Sequence, residues 1–205
     1  MTNTFFKGWW QVVVCLLLQG VSGATIASAF SIVSIPLGEA FEASRMTVML
    51  AMSCVALVTG LLSPIVGPMM DRYSLRNFML TGALILVAGF AAVSFTTSIY
   101  QVLAIYALLL APANIMMGPM AASVLLSRWF VKKRGRALAI GAMGISLGGF
   151  FIPPFMQFLF DSFEWRTAFL YIAGFSFLLT VPAILLLVVN PPADKGLYPD
   201  GSDAP

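Results

Sequence analysis

The chain has 205 residues and a formal net charge of +3, and is 60% hydrophobic but only 9% charged. Soluble domains carry about 25% charged residues, so this composition excludes a soluble globular domain and places the chain in the membrane class. It also excludes nucleic acid as a partner, because the basic residues fall between apolar runs and have no soluble domain to sit on.

Six apolar runs follow one another, each near the roughly 20 residues that a bilayer demands. They extend from Trp10 to Ile35, Met46 to Val66, Phe78 to Thr96, Gln101 to Leu126, Ala137 to Phe160 and Thr167 to Val189. The first is expected to stop at Pro36. Pro112, Pro119, Pro153, Pro154 and Pro182 lie inside later runs, which membrane helices tolerate. Lys7, an apolar stretch and Ala27-Ser28-Ala29 together have the layout of a cleaved signal peptide. The run continues past Ala29 and five more follow, so a retained first span is expected.

Charge assigns the sides. Lys7, Arg72, Arg76 and the cluster Arg128, Lys132, Lys133, Arg134 and Arg136 fall on one side. Glu39, Glu42, Arg45, Asp161, Glu164 and Arg166 fall on the other. The basic side is cytoplasmic by the positive-inside rule, which puts both termini in the cytoplasm. Gly67-Pro68-Met69-Met70-Asp71-Arg72-Tyr73-Ser74-Leu75-Arg76 is a short charged island between the second and third runs. Asp71 and Arg76 are five apart, and so are Asp161 and Arg166, ninety residues later. Ninety residues are three spans, so the copies lie on opposite faces, as in an inverted three-plus-three repeat.

Helical spacing sorts the residues within spans. Gly20, Ala24, Ala27 and Ser31 share one face of the first span, where small side chains admit a close neighbour. Gln19, Ser22 and Thr25 fan over the opposite face at about 100° per residue. They line a cavity or ligand site, or they join helices through hydrogen bonds of about 0.6 kcal/mol each. Ala137, Gly141, Gly144 and Gly148 form a second small stripe in the fifth span, with Ser146 on its other face. Asn114 shares a stripe with Gly118 and Ala121. The third and sixth spans are bulky and apolar, which suits outer, lipid-facing helices.

Chemistry is sparse. There is no histidine, and Cys15 and Cys54 sit within apolar runs as small apolar side chains. No span has an ionisable residue at its middle, so this chain offers no mid-membrane carboxylate for proton coupling and no buried cation for an anion. Serines such as Ser53 and Ser146 have no base beside them in sequence to activate them. The chain is therefore not read as an enzyme: no catalytic residue, metal or cofactor is expected.

With these residues laid out, the island resembles the loop motif of the major facilitator superfamily, Gly-x-x-x-Asp-Arg/Lys-x-Gly-Arg-Arg/Lys. Gly67, Asp71, Arg72 and Arg76 match, while Ser74 and Leu75 stand where the family has glycine and arginine. Phe6-Lys7-Gly8-Trp9-Trp10 is similar to the start of monocarboxylate and oxalate/formate-type carriers. Phe41-Glu42-Ala43-Ser44-Arg45, Trp129-Phe130 with Lys133-Arg134-Gly135-Arg136, and Glu164-Trp165-Arg166 look like their later loops. Gly196-Leu197-Tyr198-Pro199-Asp200-Gly201 resembles the opening of their central loop. The glycine-rich entry to their fourth helix is replaced by Ala111-Pro112-Ala113-Asn114, and Gly144-x3-Gly148-Gly149 is part of an antiporter-type motif.

The resemblance implies an all-α membrane protein. Residues 1–190 would be one six-helix bundle, the N-terminal half of a facilitator, and 191–205 the start of a cytoplasmic central loop. It implies alternating access for a small solute, an organic anion such as a monocarboxylate; the short tails and lack of targeting features make a bacterial inner membrane the expected location. Gly67, Asp71, Arg72 and Arg76 would form a gating motif. Gln19, Ser22, Thr25, Asn114 and Ser146 would border the substrate cavity, and Gly20, Ala24, Gly141, Gly144 and Gly148 would pack helices. The expected partners are the bilayer, the solute and a second six-helix bundle, either a C-terminal half or a second copy. A non-transporting membrane subunit or an inactive fragment is the alternative.

Overall fold

A computed structural model describes residues 8–189. Lys7 and the segment 190–205 lie outside the described residues. Among the described residues six helices are long and apolar enough to cross a membrane: α1 Gly8–Ala40, α2 Arg45–Arg72, α3 Leu75–Ser94, α4 Ile99–Trp129, α5 Arg134–Ser162 and α6 Trp165–Leu187. No strand occurs among the described residues. Serines start three of the helices. The hydroxyls of Ser44, Ser74 and Ser98 accept from the backbone N–H of Thr47, Asn77 and Tyr100, meeting donors that a first helical turn leaves unpaired. Ser74, the departure from the family motif, is thus a helix cap.

Several boundaries differ from the sequence reading. α1 does not stop at Pro36 but runs to Ala40. The proline removes one helical hydrogen bond, yet Leu37 just beyond it is fully buried and holds the last turn in place. That turn closes with Ala43 N–H donating to Gly38 O at 3.0 Å and Glu42 N–H to Glu39 O at 3.5 Å, the paired bonds of a Schellman ending. Glu42 occupies its left-handed position, with φ 48°, where glycine carries no Cβ penalty. Glu42→Gly is expected to stabilise the bundle by about 0.5–1 kcal/mol, read as a higher midpoint of thermal unfolding in detergent.

α4 is interrupted twice. Tyr106–Leu110 form a π-helical turn just before Pro112. At Gly118 the chain leaves the helix and re-enters at Pro119. A Cβ on Gly118 would lie 2.4 Å from Asn114 O, so only glycine fits this break. The stripe of Asn114, Gly118 and Ala121 is therefore not one continuous helical face.

The charged island is not a loop either. Gly67–Arg72 belong to the end of α2 and Leu75–Arg76 to the start of α3. Tyr73 and Ser74 alone separate the two helices, as Phe163 and Glu164 separate α5 from α6. The two junctions share their backbone bonds at an offset of ninety. Tyr73 N–H donates to Met69 O and Phe163 N–H to Leu159 O, both at 3.0 Å. Phe78 N–H donates to Ser74 O at 3.0 Å and Ala168 N–H to Glu164 O at 2.9 Å.

Packing has the same symmetry. α1 lies along α5, α2 against α4, and α3 against α6. Exchanging the first three helices for the last three turns the α1–α5 contact into α4–α2 and maps α3–α6 onto itself, as an inverted repeat requires. Trp129, Tyr106, Phe90, Phe130 and Phe169 are the largest fully buried side chains. α1 is the central helix, with 72% of its most apolar stretch buried, against 17% for α2 and 22% for α5. The latter two therefore carry the largest uncovered apolar faces, with Leu57, Leu61 and Ile65 on α2 and Phe150, Phe151 and Phe158 on α5.

Candidate functional site

The candidate site begins at the α2–α3 junction, where α4 also ends. Arg128 Nη2 lies 3.5 Å from Asp71 Oδ1 and donates to Met70 O at 2.8 Å. The arginine side chain is 24% exposed and the aspartate 75%. An ion pair this exposed contributes about 0–1 kcal/mol, so it orients Asp71 more than it stabilises the fold. Asp71, Ser123, Ser127, Arg128 and Arg134 border one cleft of about 230 Å³. Gly67 is half-buried, one turn before Asp71, and a Cβ there would meet only the flexible tip of Met120. Arg72 is exposed. Arg76 donates from Nη2 to Leu185 O at the end of α6. Arg128 is legible in the sequence only as one of a basic cluster. Its pairing bridges two helices far apart in the chain, and no local spacing announces it.

The mid-span residues divide into separate groups. Gln19 is buried and donates from Nε2 to Gly141 O at 3.1 Å, joining α1 to α5. Ser22 and Thr25 are fully buried, and their hydroxyls have no hydrogen-bond partner. Asn114 is half-buried with an enclosed, unpartnered Oδ1. Ser146 is exposed, on the uncovered side of α5 beside Ile145 and Leu147. Gln19, Ser22 and Thr25 thus lie inside the bundle, and the open part of α1 is formed by Ala27 and Ser31 instead.

The small-residue seam is tight. A Cβ on Gly144 would lie 2.0 Å from Leu16 O, one on Gly148 2.5 Å from Gly20 O, and one on Gly20 2.8 Å from Gly144 O. At Gly141 the nearest neighbour is the tip of Leu126, at 3.1 Å. Ala24 is buried, but Ala27 and Ser31 are exposed, so the stripe on α1 ends at Ala24. Sequence spacing puts all four on one packing face. The crossing of two helices brings only part of each stripe into contact.

An all-helical membrane bundle with inverted-repeat packing and an acidic–basic junction after its second helix defines a class of carrier-like folds. Comparison with known proteins makes this specific. The model of the Major Facilitator Superfamily matches residues 15–203, and the chain belongs to that superfamily. It is 26% identical over 145 residues to the MFS-type transporter YcxA of Bacillus subtilis, covering 71% of this chain and 36% of that protein. It is 26% identical over 201 residues to monocarboxylate transporter 12 of Xenopus laevis, covering 94% of this chain and 42% of that one. A third relative, the MFS-type transporter pynF of Aspergillus niger, is 28% identical over 131 residues, covering 62% of this chain and 29% of that protein. The chain thus spans about two fifths or less of the length of these relatives. The superfamily is one of integral membrane transporters and points away from an enzyme.

Proposed function

We propose that this chain is the first bundle of a secondary transporter that moves a small organic anion, such as a monocarboxylate, by alternating access. One observation carries the reading: Asp71 is oriented by Arg128 yet left three-quarters exposed. A carboxylate held this way can grip basic groups, or the positive end of a helix, on a second bundle. That grip holds the carrier open to the outside and breaks as it opens inward. The uncovered apolar faces of α2 and α5 are where a second bundle would pack.

The second bundle is a further six-helix half or a second copy of this chain, related by a two-fold axis along the membrane normal. It would supply the cation that binds the anion, since no span here carries one at mid-depth. On this side Ser146 borders the cavity. Asn114, half-buried, keeps an unpartnered Oδ1 that substrate or cavity water can satisfy, while Ser22, Thr25 and Gln19 belong to the bundle wall of α1. The basic end of the bundle faces the cytoplasm of a bacterial inner membrane. The alignment of the frog monocarboxylate transporter over nearly all of this chain supports the choice of a monocarboxylate.

The test is uptake of radiolabelled lactate, formate and oxalate into vesicles holding the whole gene product. Saturable uptake of at least one is expected, slowed several-fold by Asp71→Asn at equal protein. No uptake of any of the three overturns the anion assignment. In vesicles holding these 205 residues alone, saturable uptake selects the second-copy arrangement, and a stable monomer without uptake excludes it.

A further inference from the structure

The last carbonyls of a helix have no partner within it, and at the end of α6 and just past it side chains from three other helices bond the backbone. Arg76 of α3 donates to Leu185 O. Gln11 of α1 donates from Nε2 to Leu187 O at 2.7 Å, and its Oε1 accepts from Val189 N–H at 3.2 Å. Trp129 of α4 donates from Nε1 to Val189 O at 3.3 Å. Gln11 is 1% exposed and Trp129 fully buried. Trp9 stands edge-on to Phe130 at 5.3 Å, beside the same group. The Gln11 amide grips residues 187 and 189 at once, so sliding the segment by one residue would break both bonds.

One of these contacts belongs to the junction after α2, and a second adjoins it along the chain. Arg76 is part of it, and Trp129 is the neighbour of Arg128, which holds Asp71 and Met70 O. We infer that Gln11, Trp129 and Arg76 form an anchor that fixes the root of the segment leaving α6 to the 67–76 junction. Any displacement of the junction is felt at that root, and any pull on the root is felt at Asp71. The inference does not depend on the transport reading, and its test needs no substrate.

The test is hydrogen–deuterium exchange of the full 205-residue chain in nanodiscs, comparing wild type with Gln11→Leu and Trp129→Phe. Gln11→Leu keeps the volume and removes both amide bonds. Trp129→Phe keeps an aromatic ring and removes the N–H donor. In Gln11→Leu, exchange over 185–189 is expected to rise about tenfold, the scale that loss of one or two hydrogen bonds supplies. A smaller rise over 67–76 is expected with it, and none over 82–90 of α3. If Gln11→Leu does not fold, Trp129→Phe carries the test with the same expected pattern. Unchanged exchange at 185–189 overturns the anchor. A rise there with none at 67–76 overturns the coupling.

Discussion

Gly144→Ala is expected to destabilise the bundle by about 3 kcal/mol, the upper end of what overpacking costs, whereas Gly149→Ala leaves stability level or raises it. The two glycines lie in the same helix, so intrinsic propensity favours alanine at both by about 1 kcal/mol. What separates them is the far side of the seam. A Cβ on Gly144 would meet the Leu16 carbonyl oxygen at 2.0 Å, whereas one on Gly149 meets nothing within 4 Å. The obstacle is backbone, which has no rotamer to escape into, so α1 and α5 must separate. Separation also strains the bond from Gln19 to Gly141 O, which spans the same crossing. Gly148→Ala should behave like Gly144→Ala, since its obstacle is the backbone of Gly20. Thermal unfolding in detergent, followed by loss of the monodisperse peak, measures all three. Equal midpoints for Gly144→Ala and Gly149→Ala would show that the seam does not hold α1 to α5.

Small residues at helical spacing announce this seam in the sequence itself, because small side chains, glycine above all, let two helix backbones approach closely. What spacing does not announce is where the contact ends. Helix periodicity gives the direction of each side chain along its own axis, but the crossing of two axes decides how many turns remain in reach. Ala27 and Ser31 point along the stripe and are exposed. The same limit hides the role of Gln19. Its direction suits a cavity, and its bond to Gly141 O shows a neighbouring helix in the way. Pro36 and Gly118 show the converse. A proline that should end a helix is overruled by the burial of Leu37, and a glycine that fits one stripe is the point where α4 breaks. In each case tertiary packing outvotes a local rule.

The charge pattern is legible in a different way. Asp71 with Arg76, and Asp161 with Arg166, repeat at ninety residues, and that repetition marks the inverted repeat. It does not give the partners, which come from helices distant in sequence. Arg128, Gln11 and Trp129 do not stand out as a group, since nothing in their local sequence ties them to one another or to the end of α6.

Arg166→Leu is expected to cost about 2–3 kcal/mol and Arg76→Leu a similar amount, because the two arginines do the same work at opposite ends of the bundle. Each is the second residue of its helix, and each reaches the end of the antiparallel partner. Arg76 of α3 donates to Leu185 O near the end of α6. Arg166 of α6 donates to Thr96 O, just past the end of α3, at 2.8 Å. Carbonyls at a helix end are unpaired and carry the negative end of the helix dipole, so a guanidinium there forms a charge-assisted bond. Arg166 has a further support: its guanidinium carbon lies 4.3 Å from the centre of the Trp165 ring, and Trp165 in turn meets Phe41, just past the end of α1, edge-on at 5.9 Å. Arg166→Lys keeps a charge but loses the planar stack and the fork, and should fall about 1 kcal/mol below wild type. Unfolding midpoints of the four proteins decide the matter. Comparable losses for the two leucine variants mean that the arginines of both repeats clamp α3 to α6, which leaves Asp71, rather than Arg76, as the junction charge that changes partners. A loss at Arg166 with none at Arg76 would sink that equivalence and return Arg76 to the gate.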